Sequence, residues 1–382
     1  MPAVKAPSIV LVTGWVLCSY GSVRNYLTTD AHHIGASGFV AVWVCKILLE
    51  SGYTVRGTVR STSKGEYLVK QLKSDRFSHV IVEDIAKDGA FDEAVKGVDA
   101  VAHTASPFHF QADDPQSLIE PAVKGTVGVL KSIEKNAPSV QRVVVTSSAA
   151  AIVDTSKPTG TVFTENDWNT FSTKEVEEKG RDAAGGDKYR ASKTLAEQAA
   201  WAGVEAKKPK WDLATINPPM VLGPILQQID NPANLNTSVA MLYKITHAKE
   251  GETPREVLLQ PNMYGYSYRL EVLFAKNLVL IFLYRSFVDV RDVALAHVRA
   301  LEVPEAGGQR FITSGGTLCW QDALDVLPRP YPRGIPGAGK SLLHNTFDAS
   351  KARKVLGINF KGLEETVKDT ELGLSERGWG IA

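Results

Sequence analysis

Cysteine is scarce in this chain. Cys18, Cys45 and Cys319 are too few and too scattered for a disulfide frame or a thiolate metal site, and no metal is expected. Charge of one sign is also missing. The formal net charge is +1, so there is no basic field for nucleic acid and no acidic tail. No long apolar run exists: the most apolar, Leu278 to Tyr284, falls far short of the ~20 residues that span a bilayer. Met1 to Ser8 carries one lysine, two prolines and no apolar core, so no signal peptide is read there. These absences lead to the expectation of a cytoplasmic protein with neither a nucleic-acid nor a membrane partner. What remains is ordinary for a soluble globular chain: 382 residues, 44% hydrophobic and 22% charged, enough for one large domain or two lobes.

Short apolar runs alternate with helical patterns through the first half. Ile9 to Val12, Thr54 to Val59, Val80 to Val82, Ala100 to Ala102 and Val143 to Val145 read as buried strands. Phe39 to Leu49, Phe91 to Lys96 and Leu118 to Ile133 have helical spacing between them. A helix from about Lys188 to Val204 and a sixth strand, Leu213 to Ile216, continue the series. This alternation predicts an α/β fold, a doubly wound parallel sheet with helices on both faces. Residues 1–217 are expected to form this dinucleotide-binding (Rossmann) part. Residues 218–382 are expected to build mostly a smaller C-terminal substrate lobe, with returning sheet elements near 287–314. No internal repeat is visible.

In such folds the first strand-to-helix turn binds a pyrophosphate, because glycines let backbone amides approach and the helix N-terminus adds a positive dipole. Gly35, Ala36, Ser37, Gly38, Phe39, Val40 and Ala41 form a G-x-x-G-x-x-A loop opening an apolar helix. The strand that should feed it ends, on the sequence, at Thr13. Residues 15–35 intervene, whereas such turns are usually ~2–6 residues. Without them, Gly14 runs straight into Ala36 and the strand, loop and helix become continuous. They are read as an insertion, with a retained intron or mispredicted gene boundary as the simplest origin.

Val143 to Thr146 leads into Ser147 and Ser148. Downstream, Tyr189 and Lys193 are four apart, on one face of a helix. A lysine beside a tyrosine favours the phenolate, which is expected to lower the tyrosine pKa and make it a usable acid or base. A serine hydroxyl can hold a carbonyl oxygen that the tyrosine protonates.

With these residues the chain resembles the extended short-chain dehydrogenase/reductases, in particular the branch of dihydroflavonol reductases and methylglyoxal or other aldehyde/ketone reductases. The resemblance covers nearly the whole chain outside two insertions. It includes His103 to Phe108 (HTASPF), Thr146 to Ser148, Asn217 to Pro224 (NPPMVLGP) and Phe287 to His297 (FVDVRDVALAH). It implies Tyr189 as proton donor, Lys193 as the group that lowers its pKa and binds the nicotinamide ribose, and Ser148 as the group that orients the substrate oxygen. It also implies that Asp84 and Ile85 flank the adenine and that Val221 and Ser238 touch the nicotinamide or its phosphate side. Arg60 ends the second strand and Lys64 follows it. An acid there would accept the ribose hydroxyls of NAD, whereas an arginine accommodates the 2′-phosphate, so the expected cofactor is NADP(H).

The expected function is therefore hydride transfer from NADPH to a small-molecule ketone or aldehyde, by a monomer or homodimer. The alternatives are an NAD-dependent nucleotide-sugar epimerase or dehydratase, against which Arg60 argues, and a catalytically impaired dinucleotide-binding protein. Gly334 to Ser341 matches the pattern G-x-x-x-x-G-K-S of a P-loop, but the prolines from Pro328 onward preclude the strand such a loop must follow. Asn236 to Ser238 is read as an incidental sequon and His32-His33 as solvated. A second insertion is expected at residues 257–285.

Overall fold

The computed structural model describes residues 3–16, 33–34, 36–105, 112–253, 286–338 and 345–381. The first half runs β1 (Ile9–Val16), β2 (His33–Ile34), α1 (Phe39–Glu50), β3 (Thr54–Val59), α2 (Thr62–Leu72), β4 (Phe77–Ile81), β5 (Ala100–Thr104), α3 (Gln116–Asn136) and β6 (Arg142–Thr146). It continues through β7 (Val162–Phe163), α4 (Thr170–Lys179), α5 (Gly185–Lys207), β8 (Asp212–Asn217), β9 (Met220–Leu222) and α6 (Thr237–Thr246). The remainder comprises β10 (Ser286–Asp289), α7 (Val290–Glu302), β11 (Arg310–Ile312), β12 (Gly316–Thr317), α8 (Trp320–Asp325), β13 (Thr346–Phe347), α9 (Ser350–Leu356) and α10 (Leu363–Ser375).

The main sheet is eight-stranded, in the order β4-β3-β1-β5-β6-β8-β11, with β2 added to β1. Every pair along that path is parallel, and only β2 runs antiparallel. Side chains alternate between two apolar layers, as the period of a strand buried on both faces requires. Val10, Val12, Ala102, Val144 and Ala214 enter the layer containing α1 and α7. Leu11, Val101, Val143, Val145 and Leu213 enter the layer with Val129, Ile133 and Ala200 of α3 and α5. Strand order reverses at β1, which sits between β3 and β5, and this is where doubly wound sheets open a crevice.

One fully buried arginine ties the sheet to α7. Arg142 places Nε and Nη2 on Asp212 at 2.5 and 2.9 Å, and its remaining N–H groups on the carbonyls of Ala300, Val303 and Pro304. All five donors are used, which makes its burial tolerable. A smaller three-stranded sheet, β12-β10-β9, has its own core of Met220, Leu222, Met241, Phe287, Trp320 and Val367.

Two local expectations change. β1 does not stop at Thr13 but continues to Val16, and Trp15 and Val16 pair with Ile34 and His33. Phe91 to Lys96 forms consecutive turns rather than a helix. The segment is short, and Gly89 (φ 72) and Gly97 (φ 68) break the backbone on either side. Most of the two expected insertions, and the Gly339-Lys340-Ser341 end of the P-loop-like stretch, lie outside the described residues. The part that is described, 326–338, contains no strand.

The pairing of Trp15 with Ile34 brings the two ends of the 15–35 segment together. Lengthening a loop costs only ~0.6 kcal/mol per doubling, and removing one costs correspondingly little. A chain joining Gly14 to Ala36 should therefore unfold cooperatively, at a temperature no lower than the full chain. Loss of a cooperative thermal transition would mean that the segment is part of the core.

Candidate functional site

The turn between β2 and α1 runs through Ala36, Ser37 and Gly38. Gly38 is the N-cap, no side chain caps the helix, and its first turn holds no acid, so its amides and dipole are offered outward. Phe39 is buried in the core, Val40 packs partly against it, and Ala36 is fully buried. The backbone of this turn lies close to β3. The Ala36 amide donates to the Thr58 carbonyl, and a Cβ on Gly57 would stand 2.8 Å from that of Ala36. Only glycine at position 57 leaves that room. Gly35 lies outside the described residues.

Arg60 and Lys64 follow β3 and flank the start of α2, whose N-cap Ser61 makes no capping bond and whose first turn is free of acids. The two cations are close enough to repel. Burial first, and then Arg60, lowers the Lys64 pKa, while Asp230 opposes the shift. Two cations at an uncapped helix N-terminus suit a doubly charged anion. Asp84 is exposed beyond β4, its Oδ1 accepting from the Ala86 amide at 2.8 Å. The Ile85 side chain is buried, and Gly125 of α3 leaves room for it, since a Cβ there would come within 3.0 Å of its Cδ1.

Ser148, Tyr189 and Lys193 are brought together. Ser148 follows β6 and caps a short 3₁₀ turn, its Oγ accepting from the Ala150 amide at 3.1 Å. The same hydroxyl hydrogen-bonds the Tyr189 phenol, and Lys193 Nζ lies 5.7 Å from the tyrosine ring centre. The expected lowering of the Tyr189 pKa is not found. Burial raises it well above the usual phenol value, and only the Ser148 bond pulls it down. Lys193 is desolvated too, which pushes its own pKa down to about 7. A phenol with a raised pKa keeps its proton at neutral pH, the form a proton donor needs.

Sequence reading assigned no role to His103. It is fully buried on β5, its Nδ1 is 2.7 Å from Thr13 Oγ1, and its Nε2 has no partner among the described residues. Burial, and then the Lys193 charge, push its pKa down to about 3, so it is neutral in this cluster. Glu197 was also missed. It lies one helical turn beyond Lys193, and its signal was an acid beside Ala196 and Ala200 on the buried side of α5. Val221 and Ser238 meet directly, with Ser238 Oγ donating to the Val221 carbonyl at 2.5 Å and accepting from Asn236 Nδ2 at 2.9 Å.

Lys193 has a consequence for stability. Its pKa falls from 10.5 to about 7 on folding, so between those values the unfolded chain holds more protons. Stability of the ligand-free protein should rise with pH through that window. His103 and His297, pushed down to about 3 and about 4, titrate below it. Lys193→Met should make the ligand-free protein more stable than wild type at pH 7, with the difference shrinking towards pH 10. Equal pH slopes in denaturant unfolding would refute the assignment.

The model of the NAD dependent epimerase/dehydratase family matches residues 34–313. A ketoreductase from Aspergillus niger, azaE, is 37% identical over 368 residues, covering 90% of this chain and 96% of its own. The NADPH-dependent methylglyoxal reductase GRE2 of Saccharomyces cerevisiae is 35% identical over 358 residues, covering 88% and 95%. The crystal structure of yeast methylglyoxal/isovaleraldehyde reductase Gre2 complexed with NADPH superposes with a TM-score of 0.77 at 32% identity, over 97% of this chain and 99% of that one. The chain belongs to the NAD dependent epimerase/dehydratase family and, within it, to the extended short-chain dehydrogenase/reductases of the reductase branch.

Proposed function

We propose that this protein reduces the carbonyl group of a small aldehyde or ketone to an alcohol, with NADPH as the reductant and Tyr189 as the proton donor. The observation that carries this reading is the meeting of Ser148, Tyr189 and Lys193 at the carboxyl end of β6, with Arg60 and Lys64 beyond β3. The reductase relatives in yeast and Aspergillus support it. The residues fit the cofactor. The uncapped amides of Gly38, Phe39 and Val40, with Gly35 and Ser37, would hold the pyrophosphate, and Arg60 and Lys64 the 2′-phosphate, while the Ala36 amide is taken by Thr58 and packs the turn on β3. Asp84 and the Ile85 backbone would flank the adenine, Val221 and Ser238 the nicotinamide end, and Tyr189 and Lys193 the nicotinamide ribose. When bound, NADPH supplies the hydride.

The protein's own part is to orient and to protonate. The Ser148 hydroxyl and the Tyr189 phenol are positioned to donate to the substrate oxygen. As negative charge develops on that oxygen, the phenol passes its proton to it, downhill because an alkoxide is far more basic than a phenolate. The Lys193 ammonium stabilises the phenolate left behind.

Two variants test these roles, followed by NADPH consumption with methylglyoxal and isovaleraldehyde. Tyr189→Phe keeps the ring and removes the proton. Turnover should fall at least ~100-fold while NADPH still binds. A Phe variant of near-normal activity would eliminate Tyr189 as the donor. Arg60→Ala should raise the KM for NADPH roughly 10–100-fold through loss of charge-assisted contacts, leaving NADH use nearly unchanged. Equal losses with both cofactors would make Arg60 structural. Net NADPH oxidation also separates a reductase from an epimerase, which returns its cofactor unchanged.

A further inference from the structure

The side chain of Glu197 is completely shielded from water, and both of its oxygens are saturated with donors. Oε1 accepts from Arg310 Nε at 2.7 Å, Thr215 Oγ1 at 3.1 Å and Trp201 Nε1 at 3.3 Å. Oε2 accepts from Ser147 Oγ at 2.5 Å, Asn217 Nδ2 at 2.8 Å and Arg310 Nη2 at 3.4 Å. Arg310 is held from its other side by the carbonyls of Glu165 and Asp167 and stacks on Trp168, 3.7 Å from the ring centre. One carboxylate thus joins α5 to β6, β8 and β11.

Two of these donors bear on Ser148. Ser147 is its chain neighbour. Asn217 Nδ2 also donates to the Ser148 carbonyl at 3.2 Å, so the two hydrogens of one amide bridge Glu197 and Ser148. Backbone bonds hold the neighbouring amides, Ser147 N to Ile216 O and Ala149 N to Pro218 O. The Ser148 carbonyl accepts from the Ala151 amide within its own turn at 3.0 Å, and Asn217 is the bond that ties it to β8. Tyr189, Lys193 and Glu197 stand four residues apart along one face of α5. The helix that carries the phenol therefore also carries the anchor for the serine loop.

We infer that Glu197 is a positioning residue for carbonyl reduction, setting the place of Ser148 relative to Tyr189 through Ser147 and Asn217. This rests on the reductase reading above. A carboxylate is required because Arg310, Ser147, Asn217 and Trp201 all donate to it, the one Thr215 proton being shared with Asn217 Oδ1. A glutamine of the same shape presents an N–H₂ group to Ser147 and Asn217 or to Arg310, and one side of the network must come apart. A small displacement of a group that orients substrate is amplified in the rate of the chemical step and leaves cofactor binding largely untouched.

The test is a double-mutant cycle on kcat with NADPH and methylglyoxal, using Glu197→Gln, Ser148→Ala and the combination, with NADPH affinity measured separately by fluorescence. Glu197→Gln alone should lower kcat roughly 10–100-fold and change the Kd for NADPH by less than about twofold. In the Ser148→Ala background it should cost less than about threefold more, because the group it positions is already gone. Full multiplication of the two losses, or a loss of NADPH affinity matching the loss of kcat, overturns the inference and leaves Glu197 a purely structural anchor. If Glu197→Gln does not fold, Ser147→Ala decides. It keeps the ion pair and should lower kcat about 3- to 10-fold, again only when Ser148 is present. A Ser148→Ala enzyme with unimpaired kcat removes Ser148 from the site, and the inference falls with that reading rather than by itself.

Discussion

The carboxyl end of this sheet is organised around one buried ion pair, Glu197 with Arg310. Charges removed from water cost several kcal/mol each unless they are paired and fully hydrogen-bonded, and an incomplete pair is worse than none. That constraint explains the company the pair keeps: hydroxyls, an amide and an indole N–H on the acid, two carbonyls and an indole face on the base. It also fixes topology. β11 joins the sheet at its far edge from a distant part of the sequence, and Arg310 pins it to the helix that carries Tyr189 and Lys193.

A second consequence of burial is chemical. Tyr189, Lys193 and His103 are all removed from water, and desolvation moves each towards its neutral form: the phenol up, the lysine and the imidazole down. In this state the cluster carries little charge. An anion arriving nearby would favour the lysine's charged form and reverse part of that shift. Ligand binding and protonation of Lys193 are thereby linked, and the phenol keeps its proton at neutral pH.

Both faces of the central strands are covered by α1 and α7 on one side and α3 and α5 on the other. The chain leaves β1 at its carboxyl end, where β2 pairs with it. Nothing in the buried register of Val10 to Thr13 has to change to accommodate that pairing.

By itself the sequence determined what depends on residues near one another along the chain. Strand and helix alternation, the glycine loop, the Tyr189–Lys193 spacing and the basic Arg60 were legible because their periodicities and neighbours are local. Tertiary structure alone decided the rest. The continuation of β1 past Gly14 depends on a partner strand beyond the intervening residues. The burial of Ile85 depends on α3. The direction of the Tyr189 shift depends on how much water the whole fold excludes, a sum over many elements that outweighs the Ser148 hydrogen bond. Glu197 was visible only as an acid on a buried helix face. Its meaning came from donors at positions 147, 215, 217 and 310, which only the folded sheet brings to one carboxylate.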